Sequence, residues 1–167
     1  MTLTSFNHLS KQEQKENLAK CCGATAWVGK MMQQFPFASK AILLQQAEQM
    51  WWLCTENDWL EAFTHHPRIG SRETLAEKFS TTAHWSADEQ KNVSQASAQT
   101  IDELLLGNQA YEKKFGFIFI VCATGKSANE MLSLLRERLP NETKKEIRIA
   151  AAEQNKITAL RLEKLLA

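Results

Sequence analysis

The sequence predicts a single all-α domain over residues 1–167, a helical bundle with one extended segment near 117–123. One observation behind this prediction is a recurring helix-start pattern, in which a serine or threonine is followed three residues later by glutamate. Another is the three-and-four spacing of apolar residues near the C-terminus. The length suits one domain with a core better than two.

Four pairs that fit this pattern are interpreted as helix starts and imply at least four helices. In such a capping box, each side chain satisfies a backbone N–H group left free in the first turn. The four pairs are Ser10 with Glu13, Ser86 with Glu89, Ser127 with Glu130, and Thr143 with Glu146.

Apolar spacing predicts further helices over Ala24–Gln34, Ser39–Cys54 and Asp58–Phe63, and a long C-terminal helix over Glu142–Leu166. The C-terminal helix is expected to bury one face. Its predicted members are Ile147, Ala150, Ala151, Ile157, Leu160 and Leu165.

The segment Phe115–Cys122 departs from the helical pattern, because it is aromatic and β-branched and contains a glycine. The rest of the chain offers no convincing second strand to pair with it. If this segment is extended, its backbone polar groups need other partners, and a bound polar ligand is one possibility. A buried crossing between two helices, satisfied by neighbouring side chains and water, is the alternative.

The stretch His65–Gly70 places an imidazole on a turn between helical segments. Pro67 fixes its own φ and disfavours the α conformation for His66, while Gly70 relaxes the chain beyond. A histidine on a firm turn suits proton transfer, since its ordinary pKa lies near 6.5. The alternative is a helix stop with two exposed histidines.

Charge and cysteine content limit the function classes. Lys and Arg total 20 against 19 Asp and Glu, so the formal net charge is +1, which argues against a nucleic-acid binder. The four cysteines are expected to be reduced thiols, as is usual in cytosolic proteins. The N-terminus lacks the apolar stretch of a secretory signal, and the longest apolar run, Phe117–Ala123, is too short to cross a membrane. A cytoplasmic protein without membrane contact is expected.

No metal or phosphate site is expected from the motifs. Neither His65-His66 nor Cys21-Cys22 has the spacing of zinc ligands. The stretch Ala123–Ser127 resembles only the tail of a phosphate-binding loop and is interpreted as a turn into a helix. The five tryptophans are expected to pack in the core or at interfaces.

His66, Glu89 and Arg161 remain as polar candidates. The guanidinium of Arg161, near the end of the C-terminal helix, could bind a carboxylate through two hydrogen bonds. A surface salt bridge is the commoner role for an arginine there.

Taken together, these motifs resemble the 2-oxo-4-hydroxy-4-carboxy-5-ureidoimidazoline (OHCU) decarboxylase family nearly from end to end. Each motif is weak alone, but their order and spacing make the resemblance specific. They are Cys21-Cys22-Gly23-Ala24 with Trp27, Phe35-Pro36-Phe37, Trp51-Trp52, His66-Pro67-Arg68-Ile69-Gly70, Ser86 with Glu89-Gln90, Tyr111 with Lys114-Phe115-Gly116-Phe117, and Lys156-Ile157 with Arg161-Leu162.

The resemblance implies the family's all-α fold, usually a homodimer, and the last step of urate oxidation to (S)-allantoin. It also implies that His66 is the catalytic histidine and Glu89 its carboxylate partner. The implied substrate-binding positions are Pro67, Ser86, Ala87, Asp88, Glu89, Gln90, Phe119, Ile120, Val121, Cys122, Ala123 and Arg161. One departure is that Val93-Ser94 stand where a glycine often follows the glutamate, which affects a helix contact.

The implied substrate explains why no cofactor is expected. Its carboxylate-bearing carbon adjoins an imine-like carbon, so electrons released with carbon dioxide flow into the ring. Positioning and acid-base catalysis by a histidine and a carboxylate then suffice. An alternative from another class is a non-catalytic helical module whose tryptophans form an interface. Such a module would have no need of His66 and Glu89.

Overall fold

The structure, a computed structural model, describes residues 1–68, 73, 75, 76 and 87–167, with the backbone alone for 87–97. This part of the chain contains no strand, which confirms the all-α class. Its helices with defined bounds are α1 (Leu3–His8), α2 (Lys11–Cys21), α3 (Thr25–Met32), α4 (Lys40–Trp52), α5 (Glu56–Thr64), α6 (Ala87–Phe115), α7 (Ala128–Arg138) and α8 (Thr143–Leu165).

The helix starts follow local chemistry at two of the four predicted capping boxes. Ser10 and Ser127 form the predicted capping boxes with Glu13 and Glu130. A further box joins Thr55 to Asp58, and sequence reasoning missed it because aspartate replaces the usual glutamate. Ser86 lies outside the described residues.

The capping box predicted at Thr143 is wrong. Thr143 is itself the first residue of α8, and the Glu146 carboxylate bonds elsewhere. It accepts hydrogen bonds from Tyr111 Oη, from Arg138 Nε at 2.7 Å and from Asn141 Nδ2 at 2.9 Å. A buried tertiary cluster therefore takes the carboxylate that local sequence assigned to a cap.

The contacts of the chain form two compact units. One unit comprises Met1–His66, Ile120–Cys122 and Ile147–Ala167, and thus contains α1–α5 with most of α8. The other comprises Pro67–Phe119 and Ala123–Glu146, and contains α6 and α7.

Tryptophans organise the core of the first unit. Trp27, Trp51 and Trp59 are buried, which confirms their packing role. The Trp27 indole N–H donates to Ala47 O at 2.9 Å, and the Trp51 N–H donates to Ala151 O at 2.8 Å. These bonds join α3 to α4 and α4 to α8, because a buried indole N–H needs an acceptor. Trp52 is 43% exposed, and Trp85 lies outside the described residues.

The buried face of α8 differs from the predicted one. Ile147, Ala150 and Ala151 are buried as expected, but the stripe continues through Gln154, Thr158 and Leu162. Ile157, Leu160 and Leu165 are only partly buried. Two polar side chains thus occupy core positions of a helix, and each therefore needs a hydrogen-bond partner.

A buried ionic cluster lies in the second unit. Tyr111 and Glu146 are fully buried, and Arg138 is 6% exposed. The Arg138 guanidinium lies 2.6 Å from a Glu146 carboxylate oxygen and 4.6 Å from the centre of the Phe119 ring. Each charged group of the cluster therefore has a partner, as buried charges require.

The segment 117–123 lies outside any helix or strand, as predicted. Gly116 ends α6 with a φ of +79°, a conformation that favours glycine, and its N–H bonds Glu112 O at 2.8 Å. Over the parts of the chain that the structure describes, no helix is long and apolar enough to cross a membrane.

Candidate active site

The end of α5 sets the position of His66. The His65 N–H bonds the carbonyls of Ala62 and Phe63, and the His66 N–H bonds Phe63 O at 3.3 Å, so the helix stops on these two residues. A Cβ atom at Gly23 would lie 2.4 Å from the His65 ring. The lack of a side chain at Gly23 therefore allows the turn to pack against the α2–α3 connection.

The imidazole of His66 contacts the buried polar part of α8. Its Nε2 lies 2.5 Å from Gln154 Oε1, and Gln154 is 1% exposed. The Gln154 amide nitrogen in turn donates to Thr158 Oγ1 at 3.1 Å. His66 is therefore a half-buried histidine with a fixed ring, and the alternative of an exposed helix stop does not describe it.

The surroundings of His66 favour its neutral form. Burial lowers its pKa below 6.5, and the positive charge of Arg161 and neighbouring His65 lower it further. The hydrogen bond with Gln154 acts in the opposite direction but does not reverse the shift. Because the pKa is lowered, the ring is neutral at pH 7 and can accept a proton.

Arg161 lies two helical turns beyond Gln154, on the same face of α8. Its Nη1 donates to Cys21 O at 3.2 Å and to Lys20 O at 3.5 Å, at the C-terminal end of α2. These contacts place a cation at the negative end of a helix, which is a favourable position. A guanidinium carries five N–H donors, so contacts through Nη1 leave others for a ligand.

Replacing Arg161 with lysine is expected to raise KM for the substrate with little change in stability. The ammonium keeps the charge near the α2 carbonyls, but it cannot make the planar two-point contact of a guanidinium. Steady-state kinetics and thermal unfolding check this expectation. Exposed Arg148, on the same helix, provides the control as Arg148→Lys. An unchanged KM would assign Arg161 to capping α2 alone.

Helix α8 also anchors the extended segment. The Cys122 N–H donates to the Glu153 carboxylate at 2.7 Å, and the other Glu153 oxygen lies 2.5 Å from Lys156 Nζ. Of the two interpretations of this segment, a bound ligand or neighbouring side chains, the second applies at Cys122, where a side chain of the same chain is the partner. Adjacent residues of α8, Glu153 and Gln154, therefore hold the segment and His66.

The remaining predicted site residues fall in different surroundings. Ile120 is buried and Val121 is half-buried in the first unit, whereas Phe119 is buried against Arg138 in the second. Pro67 is exposed, and Ala123 is half-buried. The backbone of residues 87–90 forms the start of α6, but the side chains of Ala87, Asp88, Glu89 and Gln90 lie outside the described part, as does all of Ser86.

Sequence reasoning missed Glu153, Gln154 and Thr158. A usable signal existed for two of them. Gln154 and Thr158 continue the three-and-four spacing that starts at Ile147, so they are polar residues at positions that should be apolar. A polar residue on a buried face indicates a specific partner.

Known proteins resemble this chain over most of its length. The family model described as OHCU decarboxylase matches residues 7–163. The uric acid degradation bifunctional protein TTL of Arabidopsis thaliana is 41% identical over 147 residues, which cover 87% of this chain and 45% of that protein. An OHCU decarboxylase of Halalkalicoccus jeotgali is 26% identical, over 99% of this chain and 92% of the relative.

Two solved structures share the fold. An OHCU decarboxylase crystallised in the presence of (S)-allantoin matches with a TM-score of 0.73 and 37% identity, covering 91% of this chain and 97% of its own. An (S)-allantoin synthase matches with a TM-score of 0.72 at 14% identity, over 98% of this chain and 54% of its own. The chain spans less than half the length of the bifunctional relatives, namely 45% of the Arabidopsis protein and 32% of the Bacillus sp. (strain TB-90) protein. From the match over residues 7–163, this chain belongs to the OHCU decarboxylase family.

Proposed function

We propose that the protein decarboxylates 2-oxo-4-hydroxy-4-carboxy-5-ureidoimidazoline to (S)-allantoin without a cofactor. Family membership supports the reaction, and the observation that carries the proposal is the state of His66. A half-buried, oriented imidazole that is neutral at pH 7 is suited to moving a proton.

Decarboxylation of this substrate requires a proton transfer and a fixed orientation of the substrate, and little else. When the bond to the carboxylate breaks, carbon dioxide leaves and its electron pair moves into the ring toward the imine-like carbon. The pair ends on the nitrogen of the imine-like bond, which takes up one proton. The imine-like carbon then gains a proton on one face as the hydroxyl loses its proton and becomes a carbonyl. His66 manages the proton transfer, and Arg161 supplies a cation for the substrate carboxylate or ureido group.

Glu89 is proposed as the second catalytic group, on the resemblance alone. Its carboxylate would orient His66 or the substrate hydroxyl. Substrate contacts from Pro67, from residues 86–90 and from 119–123 are likewise proposed from the resemblance. A homodimer and a cytoplasmic location are likewise proposed from the sequence.

The alternative of a non-catalytic interaction module has less support. It requires tryptophans at a surface, but of the four tryptophans that the structure describes only Trp52 is exposed, whereas Trp27, Trp51 and Trp59 are buried in the first unit. Their indole N–H groups donate to backbone carbonyls inside that unit. Their packing therefore explains these residues without a partner protein.

The test of the proposal is direct. Purified protein is mixed with freshly generated urate oxidation product, and the loss of its optical signal is followed against the spontaneous rate. The allantoin formed is then resolved into enantiomers. Acceleration with only the S enantiomer supports the proposal, whereas the spontaneous rate or racemic product contradicts it.

Glu89→Gln is expected to lower turnover at least about tenfold, because glutamine keeps the size of the side chain but cannot carry the negative charge. Thermal stability should stay close to that of the parent, since the amide oxygen can still accept a bond from the helix start. Turnover and thermal unfolding are measured on the same preparation. Near-parental turnover would reduce Glu89 to a helix-start residue.

A further inference from the structure

We propose that Gln154 is a positioning residue that holds His66 as the tautomer protonated at Nε2, so that Nδ1 is the atom that accepts and returns the proton. The catalytic part of this inference rests on the proposed function, but the tautomer itself does not. The argument follows the hydrogen bonds of one buried chain of side chains, starting at Thr158.

The hydroxyl of Thr158 has a single proton, and that proton is already used. Thr158 Oγ1 donates to the backbone carbonyl oxygen of Gln154, four residues earlier, at 3.0 Å. Any other neighbour of this hydroxyl must therefore be a donor to it. Gln154 Nε2 lies 3.1 Å away and is such a donor.

The surroundings of Thr158 are consistent with these two bonds. Burial raises the pKa of the Cys22 thiol to about 11, so this side chain is an uncharged thiol at neutral pH and offers the hydroxyl no charged acceptor. Thr158 is only 3% exposed, so water does not offer an easy substitute for these bonds.

The orientation of the Gln154 amide follows from this arrangement. With its nitrogen facing Thr158, its oxygen must face His66, where Oε1 lies 2.5 Å from Nε2. A carbonyl oxygen only accepts, so the Nε2 of His66 must carry the proton. In the neutral ring the lone pair is then on Nδ1.

Two substitutions of Gln154 are expected to shift the pKa of His66 in opposite directions. Gln154→Glu keeps the acceptor and adds a negative charge, so the pKa should rise by about one unit or more. Gln154→Met fills similar space without an acceptor, so the pKa should fall below the parental value. The other charged or titratable groups acting on His66 in the described residues, Arg161 and His65, are unchanged in both variants.

The experiment is a ¹⁵N NMR titration of the histidine rings, with His66 assigned by comparison with His66→Asn. We expect the parent to show protonation at Nε2, with the same tautomer in Gln154→Glu and opposite pKa shifts in the two variants. The acid limb of the kcat/KM profile should move with each pKa, and kcat of Gln154→Met should fall about tenfold or more. Asn155→Ala, which removes an exposed bond to Glu48, is the matched control and should change neither.

Several results would overturn the inference. If the His66 ring of the parent protein is protonated at Nδ1, the inference is wrong. This result needs no variant, so it holds even if Gln154→Met does not fold. The inference is also contradicted if both substitutions shift the pKa of His66 in the same direction. A side chain that only fills space would not produce opposite shifts in the two variants. Since the spectra need no substrate, a confirmed tautomer in a protein that does not accelerate decarboxylation would reject the proposed function alone.

Discussion

Replacing His66 with asparagine is expected to lower turnover by roughly a hundred- to ten-thousandfold, the usual cost of losing general acid-base catalysis. Asparagine retains an amide N–H that can reach the Gln154 oxygen, so the buried acceptor need not lose its partner. It cannot take up a proton near neutral pH. The loss should therefore appear in kcat while the fold is kept.

The neighbouring histidine provides the control for this experiment. His65 is exposed, and its backbone N–H rather than its ring ends α5. His65→Asn should thus stay close to parental turnover, with circular dichroism and thermal unfolding recorded for both variants. A folded His66→Asn variant with nearly parental turnover would remove His66 from the mechanism.

Of the substitutions proposed, removal of the Glu146 carboxylate is expected to cause the largest loss of folding stability. Glu146→Ala removes the carboxylate that lies 2.6 Å from the buried Arg138 guanidinium, and breaking a buried ion pair typically costs about 3–5 kcal/mol. Tyr111 loses an acceptor as well. For a chain of this size the melting temperature should fall by on the order of 10 °C.

Two further variants isolate the cause of this loss. Glu103→Gln removes a surface ion pair with Arg136, whose side chain is 64% exposed, and should cost less than about 1 kcal/mol. The double variant Arg138→Met/Glu146→Leu removes both buried charges and should recover much of the stability. If Glu146→Ala melts like Glu103→Gln, the buried cluster does not stabilise the second unit.

Local sequence was sufficient for several structures that depend on neighbours along the chain. The capping boxes at Ser10 and Ser127 were predicted because their partners lie three residues away. The extended segment at 117–123 was found because its composition opposes a helix. The same pattern failed at Thr143, where Glu146 has a better partner in Arg138, outside its own helix.

The sequence by itself determined the helical class and the approximate bounds of most helices, and through the resemblance it predicts a catalytic role for His66. The tertiary structure decided the partners of these residues. His66 and Gln154 are 88 residues apart, and Cys122 and Glu153 are 31 apart, so no local pattern joins them. Helix starts are satisfied within one turn, whereas a buried imidazole or amide takes whichever group the folded chain brings within about 3 Å. The choice of protonated nitrogen on His66 therefore belongs to the packing of α8 and not to the His-Pro motif.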